Sequence, residues 1–221
     1  MIKRNVLALC ALMVVAGALL YGQDVCATCA NATPRDAWAE LLAGNQRFTS
    51  NDLRPRQDKC RMACTAKGQK PYAVVLTCSD SRVPPELLFD QRIGDVFVVR
   101  VAGNVASDEA VGSIEYALEH LGSPKLVVVL GHEECGAVGA ALAYQGTEGL
   151  IPTILNRIFP AVASIPKEDP DRLRKAVQEN VRLTVKLLTT YSPIIREKKE
   201  HGTPVIGAYY GIKDGKVTPL E

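Results

Sequence analysis

The sequence predicts an α/β fold: a parallel β-sheet flanked by helices, with an N-terminal helical arm and a C-terminal edge strand or hairpin. Three observations carry the expectation. Residues 72–77, 96–99 and 126–130 are short, continuously apolar runs rich in valine, the pattern of strands buried on both faces. A helical periodicity separates the second run from the third, which makes a βαβ unit and hence parallel strands. No linker cuts the chain convincingly, so one domain is expected over residues 33–221.

The elements follow in order. Thr33 and Pro34 read as N-cap and first residue of a helix, with Trp38, Leu41, Leu42 and Phe48 as its apolar face; Gly44 and Asn45 interrupt the pattern. Residues 51–69 are polar and basic and read as mostly loop. After the second strand, Ser107 caps a helix, Asp108 and Glu109 suit its first turn, and Gly122 ends it. Its core stripe is Val111, Ile114, Leu118 and Leu121. Residues 136–144 are small and apolar, a helix able to lie close to the sheet. Residues 151–164 and 171–191 are further helical stretches, punctuated by Pro170, Pro193 and Gly202. Asp214-Gly215 is a turn signal between residues 205–210 and 216–220.

Composition narrows the function. Of 221 residues, 47% are hydrophobic and 23% charged, which excludes a disordered, collagen-like or polytopic membrane chain. A net charge of +2 and 5% aromatic residues leave neither a basic footprint nor stacking platforms for nucleic acid. The N-terminus has its own character. Lys3 and Arg4 precede an uncharged apolar run over residues 6–20, and small residues follow at Gly22, Ala27, Ala30 and Ala32. This is the anatomy of a secretory signal peptide, residues 1–22 with cleavage somewhere in 22–32. The run is shorter than the ~20 residues that span a bilayer. Export, to the periplasm or the medium, is therefore expected, with no stable membrane span after processing. Losing Lys3 and Arg4 would leave the mature chain neutral.

Cys78 directly follows the first strand, and His132 and Cys135 follow the third. Ligands of open parallel sheets bind beyond the carboxyl ends of the strands, so both segments deliver side chains to one edge. Two thiolates and an imidazole are three of zinc's preferred ligands and would leave a fourth position open, as catalytic sites do. The plainer alternative is a cysteine buried as a small apolar residue at a strand end.

The text around these residues is more specific. Cys78-Ser-Asp-Ser-Arg-Val-Pro84 resembles the signature of the β-class carbonic anhydrases, and Gly131-His-Glu-Glu-Cys-Gly136 resembles their second. Phe89-Asp90, Gly94-Asp95, residues 97–100, Ala102-Gly103-Asn104 and residues 112–116 fall at that family's intervals. The resemblance runs from about Thr33 to the C-terminal strand and is densest from Gln69 to Ala141. It implies one catalytic zinc per chain on Cys78, His132 and Cys135, and a catalytic dyad of Asp80 and Arg82. It also implies substrate contacts from Gln69, Phe97, Tyr116 and Gly136, with Phe97 and Tyr116 narrowing the pocket across a dimer interface. The activity implied is reversible hydration of carbon dioxide to bicarbonate and a proton, by attack of zinc-bound hydroxide, in a homodimer or higher even oligomer. Two alternatives share the zinc site: a hydrolase of carbonyl sulfide or carbon disulfide, and a non-catalytic bicarbonate binder. Intact Asp80 and Arg82 argue against the binder, which has no hydroxide to orient.

The chemistry asks for such a dyad. Two thiolates partly neutralise zinc, and a carboxylate at Asp80 would orient the nucleophile while Arg82 holds it by a bidentate pair. Whether Asp80 instead occupies the fourth zinc position is left open by the sequence. Glu133 and Glu134, between His132 and Cys135, depart from the family's commoner small or polar residues and are expected to be exposed. His120 reads as a dipole contact at a helix end and His201 as a solvated residue. Cys10 leaves with the signal, and four cysteines remain besides the zinc thiolates: Cys26, Cys29, Cys60 and Cys64. In an oxidising compartment they are expected as disulfides, in one of three connectivities. The competing fate is a structural four-thiolate zinc site. A redox protein built on Cys26-x-x-Cys29 is disfavoured, because that pair precedes the fold.

Overall fold

The computed structural model describes residues 34–55, 58–122, 124–146 and 148–221. The segment read as a signal peptide, with Cys26, Cys29 and Thr33, lies outside the described residues. Five strands form one sheet: β1 (Ala73–Thr77), β2 (Val96–Arg100), β3 (Val127–His132), β4 (Val205–Tyr210) and β5 (Val217–Leu220), in the order β2-β1-β3-β4-β5. The first four are mutually parallel, and β5 pairs antiparallel with β4, as the turn at Asp214-Gly215 suggests; Gly215 adopts φ +72° there.

The central strands are apolar up to their carboxyl ends, where Thr77 and His132 stand, because each of their faces is covered. Val74, Leu76, Val127 and Val129 pack under α4 (Asp108–His120), α7 (Arg172–Tyr191) and α8 (Pro193–Glu200). Their alternates Ala73, Val75, Val128 and Leu130 pack against α1 (Pro34–Thr49) and α3 (Pro85–Leu88). The predicted stripe of α4 is buried throughout, its N-cap Ser107 accepts from the Ala110 amide, and Gly122 beyond its end has φ +79°. The small helix α5 (Gly136–Leu142) and α6 (Ile151–Ala163) close a third cluster around Cys78 and Cys135.

Two expectations are corrected. The helix α1 does not weaken at Gly44-Asn45; it docks there. A Cβ on Gly44 would stand 1.7 Å from the Phe89 carbonyl oxygen, so only glycine permits the approach. Asn45 donates to the Leu88 and Gly215 carbonyls and accepts from the Val217 amide, tying α1 to the end of α3 and to the start of β5. The segment expected as loop contains α2 (Asp58–Thr65). Its inward residue is Arg61, not an apolar one. The Arg61 guanidinium pairs with Asp95 at 2.6 Å and donates to the Ile93 carbonyl. Burial pushes the Asp95 carboxyl up despite that partner.

The topology creates the crevice. The chain leaves β1 toward β2 and leaves β3 toward β4, in opposite directions, so the carboxyl ends of β1 and β3 diverge and open a switch point between them. Thr77 pairs with Leu130 across this junction, and its Oγ1 donates to the Leu130 carbonyl.

Candidate active site

Register places the ligands. With Thr77 opposite Leu130, Cys78 emerges beside Gly131, and His132 ends β3 one residue further. Glu134 then takes φ +53°, which turns the chain so that Cys135 becomes the N-cap of α5. The ligating atoms of Cys78, His132 and Cys135 lie within 4.8 Å of one another, and all three residues are buried.

His132 carries the informative detail. Its Nδ1 lies 2.8 Å from the Glu133 carbonyl, an acceptor, so Nδ1 holds the proton and Nε2 keeps its lone pair. That Nε2 is buried without a hydrogen-bond partner. An orphaned, buried lone pair beside two sulfurs is costly unless something else completes it. The two thiols are hydrogen-bond partners of each other. The hydrogen bond from Cys135 draws the Cys78 thiol well below its ordinary range, against burial and helped by the Gly103 amide. The same bond, with burial, pushes Cys135 up. The set fits zinc: soft sulfur donors, one neutral imidazole of fixed tautomer, and a second partner already on the other ring nitrogen.

Asp80 and Arg82 stand beside this set. Arg82 Nε donates to Asp80 Oδ1 at 2.9 Å and Nη2 to Oδ2 at 2.7 Å, and the Arg82 amide also reaches Oδ1 at 2.9 Å. Chiefly through the Arg82 side chain, the Asp80 carboxyl is held down to about 2. Oδ2 lies 3.9 Å from His132 Nε2, so the carboxylate is turned to Arg82 with one oxygen on the cluster side. Arg82 Nη2 also reaches the Glu134 carbonyl at 3.3 Å, linking the two signature segments.

Two contributors were not singled out from the sequence. Arg100 ends β2 opposite Thr77; its Nη2 donates to the Asp80 carbonyl at 2.6 Å and its Nε to the Cys78 carbonyl at 3.2 Å. The Gly103 amide donates to Cys78 Sγ at 3.2 Å. An arginine at a strand end, in register with the residue before Cys78, was a readable signal for the first. A backbone amide leaves none.

The remaining expected site residues are not gathered within one chain. Gln69 is exposed between α2 and β1. Phe97 pairs with Val74, three residues back from the strand end, and packs on the α4 side of the sheet. Tyr116 is half-exposed on α4 beside His120. Among the described residues, no hydrogen bond or ring contact joins these three to the cluster. Gly136 opens α5 directly after Cys135, with open space where a Cβ would stand. Glu134 is exposed as expected, but Glu133 is partly covered and pairs with Lys213, its carboxylate accepting from that residue's amide and ammonium. His201 caps α8 with Nδ1 against the Glu197 carbonyl. Of the remaining cysteines, Cys64 is disulfide-bonded. Cys60 is a partly buried free thiol, against the expectation that it pairs.

Comparison with known proteins agrees with this geometry. The carbonic anhydrase family model matches residues 73–217. Carbonic anhydrase 2 of Mycobacterium tuberculosis is 41% identical over 192 residues, 84% of this chain and 92% of that protein. The carbonic anhydrase of Mycolicibacterium smegmatis is 40% identical over 193 residues, 85% and 93% respectively. Among solved structures, a tetrameric β-carbonic anhydrase of Sordaria macrospora superposes with TM-score 0.66 at 29% identity, covering 81% of this chain and 94% of that one. A Coccomyxa β-carbonic anhydrase in complex with acetazolamide superposes with TM-score 0.65 at 28% identity, covering 81% and 84%. Matching over most of its length at this identity, and carrying a Cys-His-Cys set at the sheet's switch point, the chain belongs to the carbonic anhydrase family, in its β class.

Proposed function

We propose that this β-class carbonic anhydrase binds one zinc ion through Cys78, His132 and Cys135 and hydrates carbon dioxide reversibly, with Asp80 and Arg82 as its catalytic dyad. The observation that carries the reading is the buried, unpartnered Nε2 of His132, facing two thiols and 3.9 Å from a carboxylate oxygen. Zinc there would supply a nucleophile at neutral pH, since it lowers the pKa of water from 15.7 to about 7.

The chain's own residues then do the rest. Asp80, held down to about 2, is ionised at any working pH and accepts only. Oδ1 is taken up by two donors of Arg82, while Oδ2 has one and lies on the cluster side, so Oδ2 is the acceptor available to orient the attacking water. Arg82 keeps that carboxylate from swinging onto the metal. Arg100, by binding the carbonyls of residues 78 and 80, holds the segment that carries both ligand and acceptor. Burial of Cys78, His132 and Cys135 keeps bulk water from the donors.

Assembly and address belong to the same reading. A second copy would bring Phe97 and Tyr116, which one chain leaves on the edge strand and on α4, to the pocket. The tetrameric Sordaria relative supports an oligomer of at least two. The basic start and apolar run of residues 3–20 support export, with Cys26 or Cys29 as pairing candidates for Cys64. The experiment is zinc stoichiometry with stopped-flow hydration of carbon dioxide on the purified chain, and carbonyl sulfide as the competing substrate. One zinc per chain with fast hydration is expected; a zinc-free chain that hydrates equally well ends the proposal.

A further inference from the structure

The turn after β2, a 3-10 segment at Ala102–Asn104, is held from three directions. Gly103 adopts φ +67°. A Cβ there would stand 2.7 Å from Ile158 Cδ1 on α6 and 3.3 Å from Ala137 Cβ on α5. The third hold is polar: Asn180 Nδ2, on α7, donates to the Gly103 carbonyl at 2.7 Å. The Gly103 amide in turn donates to Cys78 Sγ at 3.2 Å.

Asn180 is out of place for its surroundings. It is 2% exposed, on a face of α7 otherwise buried through Ala176, Val177, Val181, Thr184 and Leu188. Asparagine is a mediocre helix former, and burying its amide costs unless hydrogen bonds return the loss. A leucine would serve the packing. What only the amide provides is the bond that fixes the Gly103–Asn104 peptide, and with it the direction of the neighbouring Gly103 amide.

We propose that Asn180 is a positioning residue for the metal centre: it holds Gly103 so that the Gly103 amide donates to the Cys78 sulfur. The inference rests on the zinc reading above. An N–H bond to a ligating sulfur withdraws electron density from it. The metal is left more electropositive, and the sulfur less ready to exchange. Groups that orient a metal ligand in this way typically change metal affinity by about 10–100-fold when removed.

The test replaces zinc with cobalt(II), whose sulfur-to-metal charge-transfer band reports on the thiolates directly. The full chain is compared with Asn180→Leu, Asn180→Ala and, as a control on the same helix, Leu188→Ala. Asn180→Ala has no donor for the Gly103 carbonyl and adds no bulk, so it carries the result should the leucine variant fail to fold. Circular dichroism verifies the fold of each. Both Asn180 variants are expected to shift the band to longer wavelength and to bind cobalt about 10–100-fold more weakly. Leu188→Ala should lose thermal stability with the parent's band unmoved. Folded Asn180 variants whose band and cobalt affinity match the parent would overturn the role of Asn180 and leave the metal reading standing. A parent chain that takes up no cobalt overturns the metal reading, and this role with it.

Discussion

Cys60 and Cys64 stand one turn apart on α2, where an i, i+4 spacing puts them on the same side of a helix. Cys78 and Cys135 are far apart in sequence and meet only because β1 and β3 pair in register. The first pair has the more suggestive spacing, yet the second has the chemistry. At the sheet edge, the strand ends supply a third donor in His132, an amide from Gly103 and a carboxylate clamped by Arg82. On α2, Arg61, one of the three residues between the thiols, turns inward to Asp95. One thiol there is free and the other disulfide-bonded, an arrangement that a four-thiolate zinc site does not share. Thiol function here follows from what the backbone gathers around the sulfur, not from cysteine spacing.

That contrast is broken most directly at Cys78. Cys78→Ser should lose bound metal and hydration activity together, the activity by more than about 10³-fold, because water loses its acidification. Elemental analysis and stopped-flow kinetics read both. Full activity without metal would place the chemistry elsewhere. Asp80→Asn should separate the two readouts: metal retained, activity down by about 10²–10⁴-fold. Its pH signature follows from the direction of the shift. The folded-state pKa of Asp80 is depressed to about 2, so its contribution to stability is present above the unfolded value near 4. It is lost as pH falls toward 2. The stability gap between parent and Asp80→Asn should therefore close between about pH 4 and 2 in acid unfolding. A gap that persists at pH 2 would mean that the bond to Arg82 is not its source.

The α2 side of the comparison predicts a stability effect without a chemical one. Arg61→Leu strands a buried carboxylate at Asp95 and should cost about 3–5 kcal/mol. Burial already raises the Asp95 pKa in the parent, and the variant raises it further. A raised folded-state pKa means stability present below the unfolded value and lost as pH rises. The deficit in melting temperature against the parent should thus be larger at pH 8 than at pH 4. Metal content per folded chain should be unchanged; coupled loss of metal would tie α2 to the site.

The legibility of each part has a physical cause. β1 and β3 were readable because burial on both faces keeps polar residues out of each run until its carboxyl end, at Thr77 and His132. The α4 cap and stripe were readable because capping and the 3.6-residue period are local. The short helix α2 was not, since its inward residue is an arginine whose partner lies thirty-odd residues on, so no apolar period marks it. Gly44-Asn45 looked like a break because close approach and long-range amide bonds resemble helix-breaking chemistry in sequence. Cys78, His132 and Cys135 could be assembled from strand ends alone. Gln69, Phe97 and Tyr116 entered only through resemblance, and a single chain does not bring them to the cluster.

The smallest expected effect is at Cys60. Its thiol is free and only partly buried, it ligates nothing among the described residues, and serine differs from it by one atom. Cys60→Ser should therefore change stability by no more than about 0.5 kcal/mol and leave metal content and hydration rate at parental values. Native alkylation makes the comparison sharper. Under non-reducing conditions, Cys60 should be labelled by iodoacetamide, Cys64 only after reduction, and Cys78 and Cys135 only after the metal is removed. Three thiol populations answering to three different treatments would show that exposure, pairing and ligation set cysteine fate separately in this chain. Labelling of Cys64 without reductant would collapse the distinction between the two α2 thiols. A Cys60→Ser chain that lost its metal would make the α2 pair part of the catalytic centre after all.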